Sequence, residues 1–314
     1  MGIDGNILQF LISVKRSGVD LGRVCTLGRQ EVAMPAGQIR AILDRFGFTP
    51  SDFDRLYPWQ SPPYYGEGLF TALGASSVTA MDNSAYEGAS VLHDLNEPLP
   101  PQLHQQFDTV FDGGTLEHVF HVPNSFKSVM ELVKVGGHFI SQTAANNFCG
   151  HGFYQFSPEF IFRVFSPENG YKLKKLVLYE WGTSRWYQVV DPAVLRKRVG
   201  VINSKLLPML VLAQRVEARP IFATPPMQSD YAAAWVASGT ESATPVSGQV
   251  AVNSDSGKAD GAGKALARKL LGPAVPKISY YLNIWRLRGV ERALYKEFKL
   301  SNAQAFMPVQ PGEP

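Results

Sequence analysis

Short β-like runs alternate with helical runs along most of the chain, and this alternation leaves few architectures open. The β-like runs are 23–27, 77–81, 89–92, 107–111, 138–143 and 172–179, with another at 208–217. Apolar residues recur at helical spacing over 36–46, 68–73, 124–133 and 158–165. Strands separated by helices pair in parallel, because a parallel partner needs a long crossover, and the helices then cover both faces of the sheet. The pattern predicts an α/β fold with a doubly wound, mostly parallel sheet. Residues 124–133 run into Lys134-Val135-Gly136-Gly137, a cation and then glycines, which suits a left-handed helix cap. Residues 7–14 are apolar, with Asp4 before them and Lys15 and Arg16 after. That charge order fits a packed amphipathic helix and not a signal peptide.

Composition narrows the setting. Hydrophobic residues are 45% and charged residues 18% of 314, enough for a sizeable core. A net charge of +3 is too small to imply a polyanion partner. Cys25 and Cys149 stand far apart with no CxxC spacing, which fits a reducing compartment and excludes a thiolate zinc pattern. The apolar run 206–213 is far short of the ~20 residues that span a bilayer, so a cytoplasmic protein is expected. Residues 1–237 form the predicted α/β domain. Residues 238–264 are rich in Gly, Ser, Ala and Asp and carry no aromatic residue; they cannot bury enough apolar surface to offset ordering, and read as a flexible linker. Residues 265–314 read as a basic amphipathic helical tail. Over 265–299, cations such as Arg268, Lys269, Arg286 and Arg292 interleave with Tyr280, Trp285 and Tyr295. This stretch suits peripheral contact with the inner membrane face or a partner protein; a helix packed back on its own domain serves equally. No nucleic-acid motif accompanies the charge.

Ligands of such sheets sit beyond the carboxyl ends of the strands, so the polar residues there carry the argument. Asp82 ends the run 77–81 and could accept both hydroxyls of a ribose. Asp94 and Leu95 follow the run 89–92, where a carboxylate and a backbone amide could meet an adenine ring. Each Asp, taken alone, is as well explained by a turn cap. The most specific element is FDTVFDGGTLEHV, a strand entering a tight turn at Asp112, Gly113 and Gly114, followed after a helix by LVKVGGHFI. Paired glycines let backbone approach a ligand closely.

Together these segments resemble the fourth- and fifth-strand block of class I S-adenosylmethionine (SAM)-dependent methyltransferases. DNSAYEGASVLHDLN and ANNFCGHGFYQFSPEFIFRVF further resemble bacterial methyltransferase-domain proteins. The resemblance spans about residues 20–220 and implies a Rossmann-like, seven-strand methyltransferase sheet with SAM as cofactor. It implies Asp82 on the ribose, Asp94 and Leu95 on the adenine, and Asp112 to Gly114 as the pocket floor.

One departure stands out. Methyltransferases of this type carry a D-x-G-x-G-x-G-like loop after the first strand, whereas this chain has Leu27-Gly28-Arg29-Gln30. Three outcomes are open. Arg29 takes the methionine carboxylate with its guanidinium fork; or Gly66-Glu67-Gly68 supplies the close approach after an insertion at about 31–65; or cofactor binding is weakened or lost. For acceptor activation the candidates are His118, just past the fourth strand, and His151, between two glycines and several aromatics, since imidazole titrates near neutral pH. A structural role is as good a reading of either. His118 and His121 are three apart, with Glu117 adjacent and His138 and His151 elsewhere, but no cysteine or carboxylate completes a recognisable zinc pattern, and no metal is expected.

The expected function is SAM-dependent methyl transfer to a small-molecule or glycan-type acceptor. The rival is a non-catalytic methyltransferase-fold scaffold whose basic tail engages a membrane or partner. A nicotinamide-dependent enzyme lacks its G-x-G-x-x-G and Tyr-x-x-x-Lys signals here.

Overall fold

In a computed structural model, the structure describes residues 2–32, 34–49, 65–183, 185–195, 199–201, 204–238 and 306–309. The chain divides into two units, 1–199 with 205–230 and 304–314, and 200–204 with 231–303. The first holds the sheet. Its strands are β1 (Gly22–Leu27), β2 (Ala75–Asp82), β3 (Val91–Leu92), β4 (Phe107–Asp112), β5 (Val133–Asn146), β6 (Tyr171–Tyr179), β7 (Trp186–Val189), β8 (Leu207–Arg215) and β9 (Phe306–Val309). They form one 9-stranded sheet in the order β3-β2-β1-β4-β5-β8-β6-β7-β9. The pairs β3–β2, β2–β1, β1–β4 and β4–β5 are parallel. Strand β8 runs against both β5 and β6. The strand order reverses between β1 and β4, so the ligand-binding crevice of this doubly wound, Rossmann-like sheet lies at the carboxyl ends of those strands.

The helices are α1 (Gly5–Arg16), α2 (Ala36–Arg45), α3 (Glu67–Ala72), α4 (Val122–Leu132), α5 (Pro158–Val164), α6 (Pro192–Leu195) and α7 (Ser229–Ser238). Helix α1 starts where Asp4 accepts hydrogen bonds from the amides of Asn6 and Ile7, satisfying donors a helix start leaves open. Its apolar stripe, including Ile7, Leu8, Leu11 and Ile12, joins β1, β8 and α2 in the core. Residues 109–112 of β4 and 137–144 of β5 are buried without a break, polar side chains included, as expected where helices cover both faces of a parallel sheet. In the second unit, the described part of α7 carries Tyr231 and Trp235 one turn apart, their rings 6.1 Å from each other.

Most predicted elements are present with shifted ends, and three points differ. Helix α4 ends at Leu132 and Val133 is already extended, so no left-handed cap forms. Gly136, at φ +89°, instead lies inside β5, where the register against β4 shifts between Phe107 and Thr109. Lys134 serves Asp108 at 2.8 Å and not the helix end. The second difference is β7, a four-residue strand that sequence periodicity did not reveal. The third is β9, which pairs with β7 within the segment 265–314 expected to be helical. The linker 238–264 and the rest of that tail lie outside the described residues, apart from Ser238 at the end of α7. Among the described residues, no helix is long and apolar enough to cross a membrane.

Candidate functional site

Two groups of residues meet at the carboxyl ends of β1, β2, β4 and β5. The first surrounds Gly28. Its φ of +70° favours glycine, and its amide donates to Met81 O at 2.7 Å, holding the end of β1 against β2. A side chain there would come within 3.7 Å of both Asp82 Oδ2 and Thr115 Oγ1. Thr115 Oγ1 donates to Leu27 O at 2.9 Å. The tips of β1 and β2 and the turn after β4 thus converge on one small space, with Asp82 half-buried beside it.

The neighbouring polar groups are already engaged. Arg29 Nε donates to Glu67 Oε1 at 2.6 Å, an Arg29 amine donates to Glu87 O at 3.2 Å, and the guanidinium lies 3.9 Å over the Tyr65 ring. Gln30 is 6% exposed and donates to Leu27 O at 2.5 Å. It packs so tightly on Gly113 that a side chain at 113 would meet Gln30 Oε1 at 1.9 Å. Gly66 faces Ile3 and Phe70. Asp94 Oδ1 accepts from the amide and side chain of Asn96, and these bonds hold its carboxyl below the usual range. Leu95 is buried, and its carbonyl accepts from Asn124 Nδ2 at 3.0 Å.

Asp112 is fully buried. One carboxylate oxygen takes the amides of Gly114 and Thr115 at 3.2 and 2.8 Å, and the other takes Ser141 Oγ at 2.8 Å. Burial raises its pKa, opposed by those bonds. Its side chain anchors the turn at Gly113 and Gly114, both buried.

The second group follows two residues after Thr115. Glu117 is 0% exposed. Burial, and then the nearby Asp112 carboxylate, push its pKa up to about 7. Thr143 Oγ1, from β5, donates to its Oε2 at 2.9 Å. Its backbone carbonyl accepts the amides of Phe153 and Tyr154 at 2.8 and 3.2 Å, tying the loop after β5 over the turn after β4. Gly152 permits that approach. Its φ is +68°, and a side chain there would lie 2.8 Å from Glu117 O.

The loop brings His151 to His118, with ring centroids 4.7 Å apart in an edge-to-face arrangement. His118 is exposed and His151 half-buried. Partial desolvation lowers both imidazole pKa values, and the neighbouring His151 lowers that of His118 further. Beside them Phe120 and Phe153, 71% and 69% exposed, meet edge to face at 6.0 Å. Tyr154 OH donates to Phe120 O at 2.8 Å.

Sequence reasoning assigned Gly28, Asp82 and the turn 112–114 to one cofactor crevice and named His118 and His151 as separate candidates for acceptor activation; the structure brings the strand tips of the first set to one space and sets His118 against His151. It missed Gln30, Thr115 and Thr143, and it set Glu117 beside His118 without giving it a role. His121 does not join His118, because its Nδ1 accepts the Asn124 amide at 3.2 Å and caps α4. A cleft of about 370 Å³ lined by Pro158, Arg163, Pro192, Val199 and Met227 shares none of these residues.

Fold and site together define a Rossmann-like α/β protein with a polar crevice at the switch point of its sheet. No family model matches the chain, and no curated protein does. Among solved structures it is similar to a Bacillus halodurans protein assigned as a methyltransferase, at 8% identity and TM-score 0.37 over 65% of this chain and 98% of that one. It is also similar to an S-adenosylmethionine-dependent methyltransferase from Mesorhizobium loti, at 15% identity and TM-score 0.33 over 64% and 96%. The antibiotic-resistance methyltransferase Kmr matches at 12% identity and TM-score 0.35 over 67% and 94%. At such identities and scores these likenesses say nothing about acceptor or activity.

Proposed function

We propose that the protein transfers a methyl group from SAM to a small-molecule acceptor. The observation that carries this reading is the convergence of Gly28, Asp82 and Thr115 at the switch point, with a cluster of acid-base side chains two residues further on. The first group suits adenosine. Asp82 accepts the ribose hydroxyls, the segment at Asp94 and Leu95 meets the adenine, and the turn from Asp112 to Gly114 floors the pocket. The second group stands where the acceptor must present its nucleophile. In the transfer, an acceptor oxygen forms a bond to the methyl carbon as the carbon–sulfur bond breaks and its electrons return to sulfur, leaving S-adenosylhomocysteine. Most of the acceleration comes from in-line positioning. His118 and His151 activate the acceptor hydroxyl. The exposed Phe120–Phe153 pair offers faces to a planar ring or to the C–H face of a sugar, which keeps both acceptor types in play.

One observation favours the scaffold reading. Gln30 fills the space over Gly113, and Arg29 is spent on Glu67 and Tyr65, so the methionine end of SAM finds no free guanidinium unless that pair opens. Calorimetry with SAM and S-adenosylhomocysteine decides between them. Binding of either by the folded full chain, weakened by Asp82→Ala, supports the transferase. Absence of heat with both ligands removes it and leaves the scaffold.

A further inference from the structure

Across the acceptor edge two buried donor atoms face each other with no partner. Glu117 Oε1 lies 3.6 Å from His151 Nε2, too far for a hydrogen bond, and neither atom has any hydrogen-bond partner. The Glu117 side chain is fully buried, and a carboxylate so placed normally finds donors for both oxygens. Thr143 satisfies Oε2; Oε1 is left aimed at the histidines. His118 adds a third ligand atom, and one atom from each of Glu117, His118 and His151 lies within 4.8 Å of the other two.

One cation accounts for all of this. Ligand atoms about 2.1 Å from a tetrahedral centre stand about 3.4 Å apart, close to the 3.6 Å between Glu117 and His151. His118 is exposed and free to turn the remaining distance. Thr143 orients Glu117 from β5, as an outer-shell partner orients a metal ligand, and the Glu117 carbonyl holds the His151 loop through Phe153 and Tyr154.

We propose that Glu117, His118 and His151 bind one divalent transition-metal ion of the Zn²⁺ type. Two imidazoles and a carboxylate are a donor set that leaves coordination positions open for a substrate. Exposed Phe120 and Phe153 each lie two residues from a ligand, His118 and His151. The use of the ion rests on the methyl-transfer reading: an acceptor hydroxyl oxygen takes the open position and releases its proton to solvent, then attacks the methyl carbon as the carbon–sulfur electron pair leaves with sulfur. The ion changes no oxidation state. The carboxylate missing from the sequence pattern is therefore Glu117, adjacent to His118.

The test uses the full chain stripped with a chelator and titrated with Zn²⁺ against a chromophoric competitor, with Co²⁺ as a spectroscopic substitute. One ion per chain is expected. His118→Ala, His151→Ala and Glu117→Gln should each weaken binding on the order of 100-fold or more, and Thr143→Ala by roughly 10- to 100-fold. His121→Ala, whose ring caps a helix, should leave affinity unchanged. His118→Ala is the fold-safe variant because the residue is exposed, and circular dichroism checks every variant. Folded wild-type protein that takes up no stoichiometric Zn²⁺ overturns the proposal, as does a folded His118→Ala/His151→Ala protein that keeps wild-type affinity. A parallel SAM titration separates the two readings. Metal binding without SAM binding strikes only the transferase reading; SAM binding without metal strikes only the metal site.

Discussion

The two edges of the crevice differ in how far their polar groups are satisfied. At the proposed nucleoside edge Arg29, Asp94 and Asp112 hold defined partners, Gln30 donates to Leu27 O although its Oε1 is unmet, and the chain closes on itself around Gly28. At the acceptor edge Glu117 and His151 present buried atoms with none, beside two exposed phenylalanines. Unmet buried polar groups cost stability, and a fold tolerates them where a ligand meets them. The first edge holds its shape largely through those bonds; under the proposal above, a ligand completes the second.

The sharpest way to break this comparison is the double variant His118→Ala/His151→Ala. Methyl transfer should fall by roughly 10²- to 10⁴-fold while affinity for SAM holds, which single-turnover assays beside calorimetry will show. If both fall together, the edges are not separable. Next, Asp82→Ala should weaken SAM binding by about 10- to 100-fold, the worth of hydrogen bonds to a charged group, and leave Zn²⁺ affinity untouched. Gly152→Ala forces a side chain toward Glu117 O at positive φ; a loss of roughly 1–3 kcal/mol in denaturant midpoint analysis is expected, with the acceptor edge loosened and the nucleoside edge intact.

Gln30→Ala asks whether the nucleoside edge is closed by that side chain. It should tighten SAM binding if Gln30 blocks the methionine end, at a stability cost of about 1 kcal/mol for the lost hydrogen bond; unchanged affinity would show that the space is not used. The smallest effect is a pH dependence away from both edges. His138, buried in β5, has its pKa lowered by desolvation and then by Lys174. Protons then bind the unfolded chain first, so stability holds above about pH 6.5 and declines as pH falls below it. His138→Gln should flatten that decline in thermal melts across the range.

Much of the fold was legible because its causes are local. The strand–glycine turn–helix–strand block from Phe107 to Ile140 announces itself through apolar runs and Gly113-Gly114, and β1, β2 and α1 are equally periodic. What failed was non-local. Strand β7 has four residues and β9 pairs with it from far along the chain, and neither has a period of its own. Lys134 to Gly137 looked like a helix cap, yet β4 pulls Val133 into the sheet, and a side chain at Gly137 would meet Asp108 O at 2.6 Å. Tertiary pairing outweighed the cap signal.

The candidate site divides the same way. Asp82 and the histidines drew notice because strand ends and residue chemistry mark them in the sequence. Glu117, named beside His118, was given no role, since a glutamate next to a histidine is ordinarily a solvated surface residue. The sequence by itself determined the alternation of elements, the glycine turn after β4, and the residue types at the strand ends, because periodicity and backbone freedom act over a few neighbouring residues. Only the tertiary structure decided that Glu117 is dry and that His151 reaches His118. It also decided that Arg29 is spent on Glu67. Desolvation and pairing depend on which distant segments close over a side chain, and no local pattern encodes that.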